Sequence, residues 1–240
     1  MREGKCTAIV LAAGQGKRMG GEIRKQFLEV RGKPLLWYSL QCFQRSEYID
    51  DILLVVEEEL ISWCIHNIVE KYAFSKVTKV IAGGEQRYDS VYEGLKACDS
   101  ADFVFIHDGA RPFVTEDILR RGYETVKKYG TGVAGVLSKD TVKIVDAKRN
   151  VVETPIRERV WSVQTPQIFE YSLIRCAYDR LQLFDKTGIT DDAMVVEEMG
   201  NHPVHMFPGS YMNIKITTPD DLQVAEQFLK NQRENGERSC

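Results

Sequence analysis

Short apolar runs punctuate the chain and end on glycine or polar residues. Thr7-Ala8-Ile9-Val10-Leu11-Ala12 runs up to Gly14, and similar runs recur at 52–56, 77–81, 103–106 and 132–137. Continuous apolarity of this kind marks a strand buried on both faces of a parallel sheet. Between the runs, apolar positions recur at helical spacing over 34–45, 60–72, 90–97 and 116–129. Strand and helix alternate, so the pattern predicts an α/β class with a largely parallel sheet. In the first of these helices Leu35, Leu36, Tyr38, Leu40 and Phe43 form the face that docks on the sheet.

The alternation breaks after Ser138. Residues 142–145 and 151–153, around the polar stretch Asp146-Ala147-Lys148-Arg149-Asn150, read as a β-hairpin inserted into the α/β pattern. A lone hairpin is marginal in water and needs a surface to pack on, either this chain's own or a partner's. Beyond Thr165-Pro166 the pattern predicts helices over 170–182 and 191–199, then strands over 204–207 and 213–216. With no linker, repeat or low-complexity tract in 240 residues, the expectation is one domain, 1–240, with an arm at about 138–160.

Charge narrows the function classes. Lys and Arg number 32 against 35 Asp and Glu, a net of −3, so no global basic field gathers nucleic acid and any bound phosphate must be held locally. No apolar stretch approaches the roughly 20 residues that span a bilayer, and the run after Lys5 is too short for a signal peptide, which predicts a cytoplasmic protein without a membrane partner. The six cysteines form no C-x-x-C pair and read as small buried hydrophobes.

The strongest local signal is Leu11-Ala12-Ala13-Gly14-Gln15-Gly16-Lys17-Arg18-Met19-Gly20, a glycine-rich turn directly after the first buried strand. Glycines let backbone N–H groups approach a phosphate, and Lys17, Arg18 and Lys25 add charge. The P-loop pattern fails because neither glycine leads into its Gly-Lys-Ser/Thr ending. The dinucleotide pattern fails because Met19 stands where its third glycine belongs and Glu57 follows Gly16 by 41 residues rather than about 20. A loop for the triphosphate of a single nucleotide remains, alongside a tight turn with no ligand. Arg18 and Lys25 read either as solvated charges or as cations prepositioned for phosphoryl transfer, and spacing leaves both open.

His107-Asp108 closes another predicted strand, at the carboxyl end where open α/β sheets place ligands. Asp108 suits Mg²⁺ or a ribose hydroxyl, and Arg111 suits either Asp108 or a substrate phosphate. A lone histidine there reads as structural. No Ser/His/Asp or Cys/His set can be assembled from the chain.

Taken in order, several motifs resemble 2-C-methyl-D-erythritol 4-phosphate cytidylyltransferases. They are Leu11-Ala12-Ala13-Gly14-x-Gly16-x-Arg18-Met19, Lys25-Gln26-Phe27, Gly83-Gly84-x-x-Arg87-x-Asp89-Ser90-Val91, His107-Asp108-Gly109-Ala110-Arg111-Pro112, Lys139-Asp140-Thr141, Trp161-x-x-Gln164-Thr165-Pro166-Gln167, Thr190-Asp191-Asp192-Ala193 and Asn213-Ile214-Lys215-Ile216-Thr217. The resemblance implies a Rossmann-like nucleotidyltransferase fold and transfer of cytidylyl from CTP to 2-C-methyl-D-erythritol 4-phosphate, in non-mevalonate isoprenoid biosynthesis. It implies Arg18 and Lys25 at the reacting α-phosphate, with Arg157 and Lys215 on the acceptor phosphate. It also places Ala12, Ala13, Gly14, Gln15, Gly16, Gly84, Glu85, Ser90 and Asp108 around CTP, Asp108 near a Mg²⁺ or other divalent cation, and Arg111, Thr141, Arg157, Thr165, Thr190 and Lys215 around the acceptor. It makes the hairpin the arm of a homodimer, carrying Thr141 and Arg157 into the partner's site. The related ribitol 5-phosphate cytidylyltransferases are the alternative. Three positions depart from the family pattern: Arg24 for proline, Glu85 for a shorter acid and Gly109 for alanine.

Overall fold

A computed structural model describes residues 3–14 and 24–237, with side chains to 230. In chain order the elements are β1 (Cys6–Leu11), β2 (Glu29–Val30), β3 (Lys33–Pro34), α1 (Leu35–Arg45), β4 (Asp51–Val56), α2 (Ile61–Cys64), β5 (Val77–Ala82), α3 (Arg87–Ala97) and β6 (Phe103–Asp108). They continue with α4 (Glu116–Tyr129), β7 (Thr131–Leu137), β8 (Ile144–Val145), β9 (Val151–Glu153), β10 (Trp161–Glu170), α5 (Tyr171–Leu181), α6 (Asp192–Val195), β11 (Met206–Pro208) and α7 (Pro219–Glu237).

The continuous apolar runs become the centre of the sheet. Cys6 through Val10 are buried to the last residue, and along β1 alternate side chains enter opposite layers. Ala8 and Val10 meet Leu36, Leu40 and Phe43 from α1 and Ile118 from α4. Ile9 faces Val91 and Leu95 of α3, and Ile174 and Tyr178 of α5 join the same layer. Helices cover both faces, which is why the strands carry no polar alternation. Local signals agree with the packing: Thr115 caps α4 by accepting from the Ile118 amide at 3.4 Å, and Gly130 ends it at φ 73°.

Seven strands lie in the order β11-β7-β10-β6-β1-β4-β5. β1 pairs in parallel with β4 and β6, β4 with β5, and β7 with β11. The chain leaves β1 toward β4 and β5, then returns to set β6 on β1's other side. The strand order therefore reverses between β1 and β6, where Leu11 and Asp108 sit opposite each other. A crevice at the carboxyl ends of two such strands is where this class of sheet binds ligands.

The structure adds to the sequence expectations and corrects some of them. The chain around Thr165-Pro166, to which the pattern assigned no element, lies within β10, a ten-residue strand antiparallel to both β6 and β7. Proline cannot donate to a ladder, and the register shift between Val163 and Gln167 accommodates it. The expected strand at 213–216 does not form, because Asn213 is buried with its side-chain amide donating to the Thr165 carbonyl at 2.9 Å. The helix expected over 60–72 is a 3₁₀ turn, the short α2 and a π-helical stretch at Ile65–Glu70. The closing helix α7 was not anticipated. No helix of the described residues is long and apolar enough to cross a membrane.

β8 and β9 form a separate two-stranded sheet. Ile144, Val145, Val151, Val152 and Ile156 all stand exposed on this segment, Val152 at 63%. Elsewhere the packing is tight: a Cβ on Gly94 of α3 would lie 2.6 Å from Ile9 Cγ2 on β1. Gly94→Val is expected to lower stability by about 1–3 kcal/mol through overpacking. An unchanged denaturant midpoint would show that α3 and β1 are looser than this contact implies.

Candidate active site

A cleft of about 550 Å³ opens at the strand reversal. Ala12, Ala13 and Gly14 after β1, Gly84 and Glu85 just before α3, Ser90 in its first turn, and Lys25, Asp108 and Lys215 all line it. Backbone bonds carry the strand order into these loops. The Ala12 amide donates to the Val55 carbonyl at 2.7 Å, and the Gly83 amide to that of Val56 at 2.7 Å. The Gly83 position admits no side chain, since a Cβ would lie 2.7 Å from both Ala13 Cβ and Ser90 Oγ. On Gly84 a Cβ would run into Asp89. The Gly84 amide donates to Ser90 Oγ at 3.1 Å, which folds this loop onto the first turn of α3.

Lys25 begins a 3₁₀ turn, Lys25–Phe27, whose next residue anchors it. Gln26 is buried, and its side-chain amide donates to the carbonyl of Ala12 and, at 3.3 Å, to that of Gly14. The lysine is thereby fixed beside the glycine-rich segment. Arg24, the departure noted above, donates to Glu57 Oε2 at 2.7 Å across the same rim.

Asp108 is the electrostatic centre. Its side chain is only 9% exposed, with Oδ1 3.1 Å from Arg87 Nε and Oδ2 2.7 Å from Lys215 Nζ. Burial alone would raise the carboxyl's pKa, but Arg87 and Lys215 outweigh it and hold the group ionised, far below the usual carboxylate range. Arg87 in turn reaches Asp192 with both terminal nitrogens, at 3.0 and 2.8 Å. Asp192 is fully buried and also accepts from Tyr178 Oη at 2.6 Å. A chain of alternating charge thus runs from Lys215 through Asp108 and Arg87 to Asp192.

His107 is structural, as its isolation suggested. It is wholly buried, with Nε2 3.1 Å from the Arg111 carbonyl and Nδ1 3.1 Å from Thr165 Oγ1. Burial pushes its imidazole down to about 4, so the ring is neutral at pH 7. Thr165 Oγ1 also accepts from the Asp108 amide at 3.1 Å, tying β10 to the cleft floor. Arg111 turns onto the Asn213 carbonyl at 2.8 Å.

Of the other residues expected at the site, Thr141, Arg157 and Thr190 are exposed and are not among those lining this cleft. Arg157 opens a short 3₁₀ turn beyond the hairpin, and Thr190 precedes α6. Gln15, Gly16 and Arg18, with Lys17, lie outside the described residues. Sequence reasoning did not single out Gln26, Arg87 or Asp192 as site residues. All three stand inside quoted motifs, but their roles come from contacts across the fold. Among the described residues no three His, Cys, Asp or Glu side chains converge as a metal cluster would require.

A family model described as 2-C-methyl-D-erythritol 4-phosphate cytidylyltransferase matches residues 6–231. A curated relative of that description from Clostridium botulinum is 48% identical over 227 residues, covering 94% of this chain and 98% of its own length. Another, from Lachnospira eligens, is 46% identical over 227 residues, covering 93% and 99%. Among solved structures, a 4-diphosphocytidyl-2C-methyl-D-erythritol synthase from Anaerococcus prevotii superposes with a TM-score of 0.82 at 34% identity, over 94% of this chain and 98% of that one. A 2-C-methyl-D-erythritol 4-phosphate cytidylyltransferase from Francisella tularensis gives 0.75 at 33% identity, over 93% and 99%.

Proposed function

The chain belongs to the 2-C-methyl-D-erythritol 4-phosphate cytidylyltransferase family, and from that premise we propose how its cleft transfers the cytidylyl group of CTP to 2-C-methyl-D-erythritol 4-phosphate. The products are 4-diphosphocytidyl-2-C-methyl-D-erythritol and pyrophosphate. The observation that carries the reading is the cleft at the strand reversal, where the Ala12–Gly14 segment, Lys25 and the Asp108–Lys215 pair meet.

In the reaction a phosphate oxygen of the acceptor attacks the α-phosphorus of CTP. The bond from that phosphorus to the oxygen bridging the β-phosphorus breaks, and its electron pair leaves with pyrophosphate. The attacking phosphate is already ionised at pH 7, so no general base is required. Catalysis is alignment plus neutralisation of the charge that develops on the α-phosphate. Lys25 and Arg18 supply that neutralisation, while Lys215 and Arg157 hold the acceptor phosphate. The backbone of Ala12, Ala13, Gly14, Gln15 and Gly16 wraps the triphosphate, Gly84, Glu85 and Ser90 face the cytosine, and Asp108 faces the ribose. Arg111, Thr141, Thr165 and Thr190 complete the acceptor's surroundings.

A divalent cation such as Mg²⁺ fits this donor set in one form only. Among the described residues one buried carboxylate, Asp108, reaches the cleft without a cluster of further ligands, which suits an ion that would be held mainly by nucleotide phosphates. Held there, such an ion would neutralise triphosphate charge. The chain is read as a single domain acting in the cytoplasm as a homodimer, its hairpin reaching the partner's site. Two features support the dimer: exposed valines and isoleucines on the hairpin, and exposed positions for Thr141 and Arg157 outside the chain's own cleft.

The acceptor is tested by comparing pyrophosphate release from CTP with 2-C-methyl-D-erythritol 4-phosphate and with ribitol 5-phosphate. A strong preference for the erythritol phosphate is expected, in line with the relatives' names; preference for ribitol 5-phosphate would move the chain to the related activity.

A further inference from the structure

Lys215 already has a partner. Its ammonium lies 2.7 Å from Asp108 Oδ2, so an acceptor phosphate must take it from a carboxylate that is only 9% exposed. Deprived of every cation, a buried carboxylate costs far more than a lost surface pair. Asp108 has one other directly bonded cation among the described residues, Arg87, whose Nε sits 3.1 Å from the opposite oxygen. The field of Arg111 also reaches Asp108, but its Nη1 is committed to the Asn213 carbonyl.

Arg87 is held in place from behind. Its terminal nitrogens form a two-pronged bond to Asp192, which is fully buried and fixed further by Tyr178 Oη. The guanidinium's planar fork meets one acid through Nε and the other through Nη1 and Nη2, a geometry an ammonium cannot copy. The neighbouring backbone is anchored as well. Asp191 Oδ1 accepts from the Met194 amide at 2.9 Å, its Oδ2 accepts from Gln167 Nε2 at 2.9 Å, and the Ala193 amide donates to Gln167 Oε1 at 2.9 Å. Arg87 therefore stays beside Asp108 whatever Lys215 does.

We propose that Arg87 is a positioning residue that frees Lys215 for the acceptor: it keeps Asp108 compensated while Lys215 swings from that carboxylate to the incoming phosphate. The same contact gives the buried Asp192 a part in the exchange. It anchors the cation on which the exchange depends. The inference rests on the proposed placement of the acceptor phosphate at Lys215.

Without Arg87, Asp108 would grip Lys215 as its remaining bonded cation, and acceptor binding would weaken more than CTP binding. Arg87→Gln is expected to raise the acceptor KM by about tenfold or more, within the usual range of coupling between sites, and the CTP KM by less than about threefold. Arg87→Lys keeps the charge without the fork and is expected to recover part of the loss while preserving the unequal effect. Circular dichroism and thermal melts identify the folded variants, and the lysine variant alone decides if the glutamine variant does not fold. In any folded variant, equal rises in the two KM values, or no rise for the acceptor, would overturn the proposal. The wild-type protein is assayed in parallel, so absence of transfer from CTP there would count against the functional reading itself rather than against Arg87.

Discussion

Replacing Lys25 with alanine is expected to lower kcat by about 10²–10³-fold while changing the CTP KM by less than about tenfold, the pattern of a group that acts in the transition state. Lys25 lines the cleft at the end of β1, and its turn is pinned by the bonds of Gln26 to the Ala12 and Gly14 carbonyls. The backbone that carries Lys25 is therefore set before charge builds on the α-phosphate. A cation held in advance contributes most when the charge it meets is transient, so binding of CTP itself should suffer less. Steady-state pyrophosphate release at varied CTP separates the two effects. Equal losses in kcat and in CTP affinity would assign Lys25 to ground-state binding.

Deleting residues 142–152 is expected to give a monomer whose turnover is reduced by at least about 10²-fold, the scale of one lost charge-stabilising donor. The hairpin contributes exposed Ile144, Val145, Val151 and Val152, and its sheet is separate from the seven-stranded one. Two short strands gain little stability alone, so an apolar hairpin of this kind is suited to cover by a second copy. Removing it would displace Thr141 and Arg157, which flank the deleted span. Light scattering and turnover measured on the same sample decide the matter. A fully active monomer would contradict the proposed arm, and so would a deletion variant that remains an active dimer.

The parts of this fold legible in the sequence were those whose local pattern and final environment agree. The apolar run of β1 is buried from Cys6 to Val10, and α4 starts at Thr115 and stops at Gly130 as its caps direct. What the pattern hid was decided at long range. β10 carries a proline and polar Gln164, Thr165 and Gln167 in a buried stretch of strand, a combination without strand periodicity that only the flanking β6 and β7 explain. Segment 213–216 has strand-like residues, yet the Asn213 amide bonds the Thr165 carbonyl and the Ile216 amide bonds that of Ala110.

The cleft shows the same division. Gly84 enters only with the family resemblance, whereas Gly14 and Asp108 announce themselves by type and by position after apolar runs. Arg87 and Asp192 do not, because 105 positions separate them and only the packing of α3 against α5 and α6 makes them an ion pair. Gln26 is a similar case: its neighbour Lys25 draws attention by charge, while its own task is to satisfy two backbone carbonyls.

The central claim is that the α-phosphorus of CTP is the atom transferred. CTP labelled at the α-phosphate, incubated with the wild-type protein and 2-C-methyl-D-erythritol 4-phosphate, is predicted to place its label in the organic product, whereas label at the γ-phosphate should leave in pyrophosphate. Label from the γ-phosphate in the organic product, or no transfer from either position, would contradict the account.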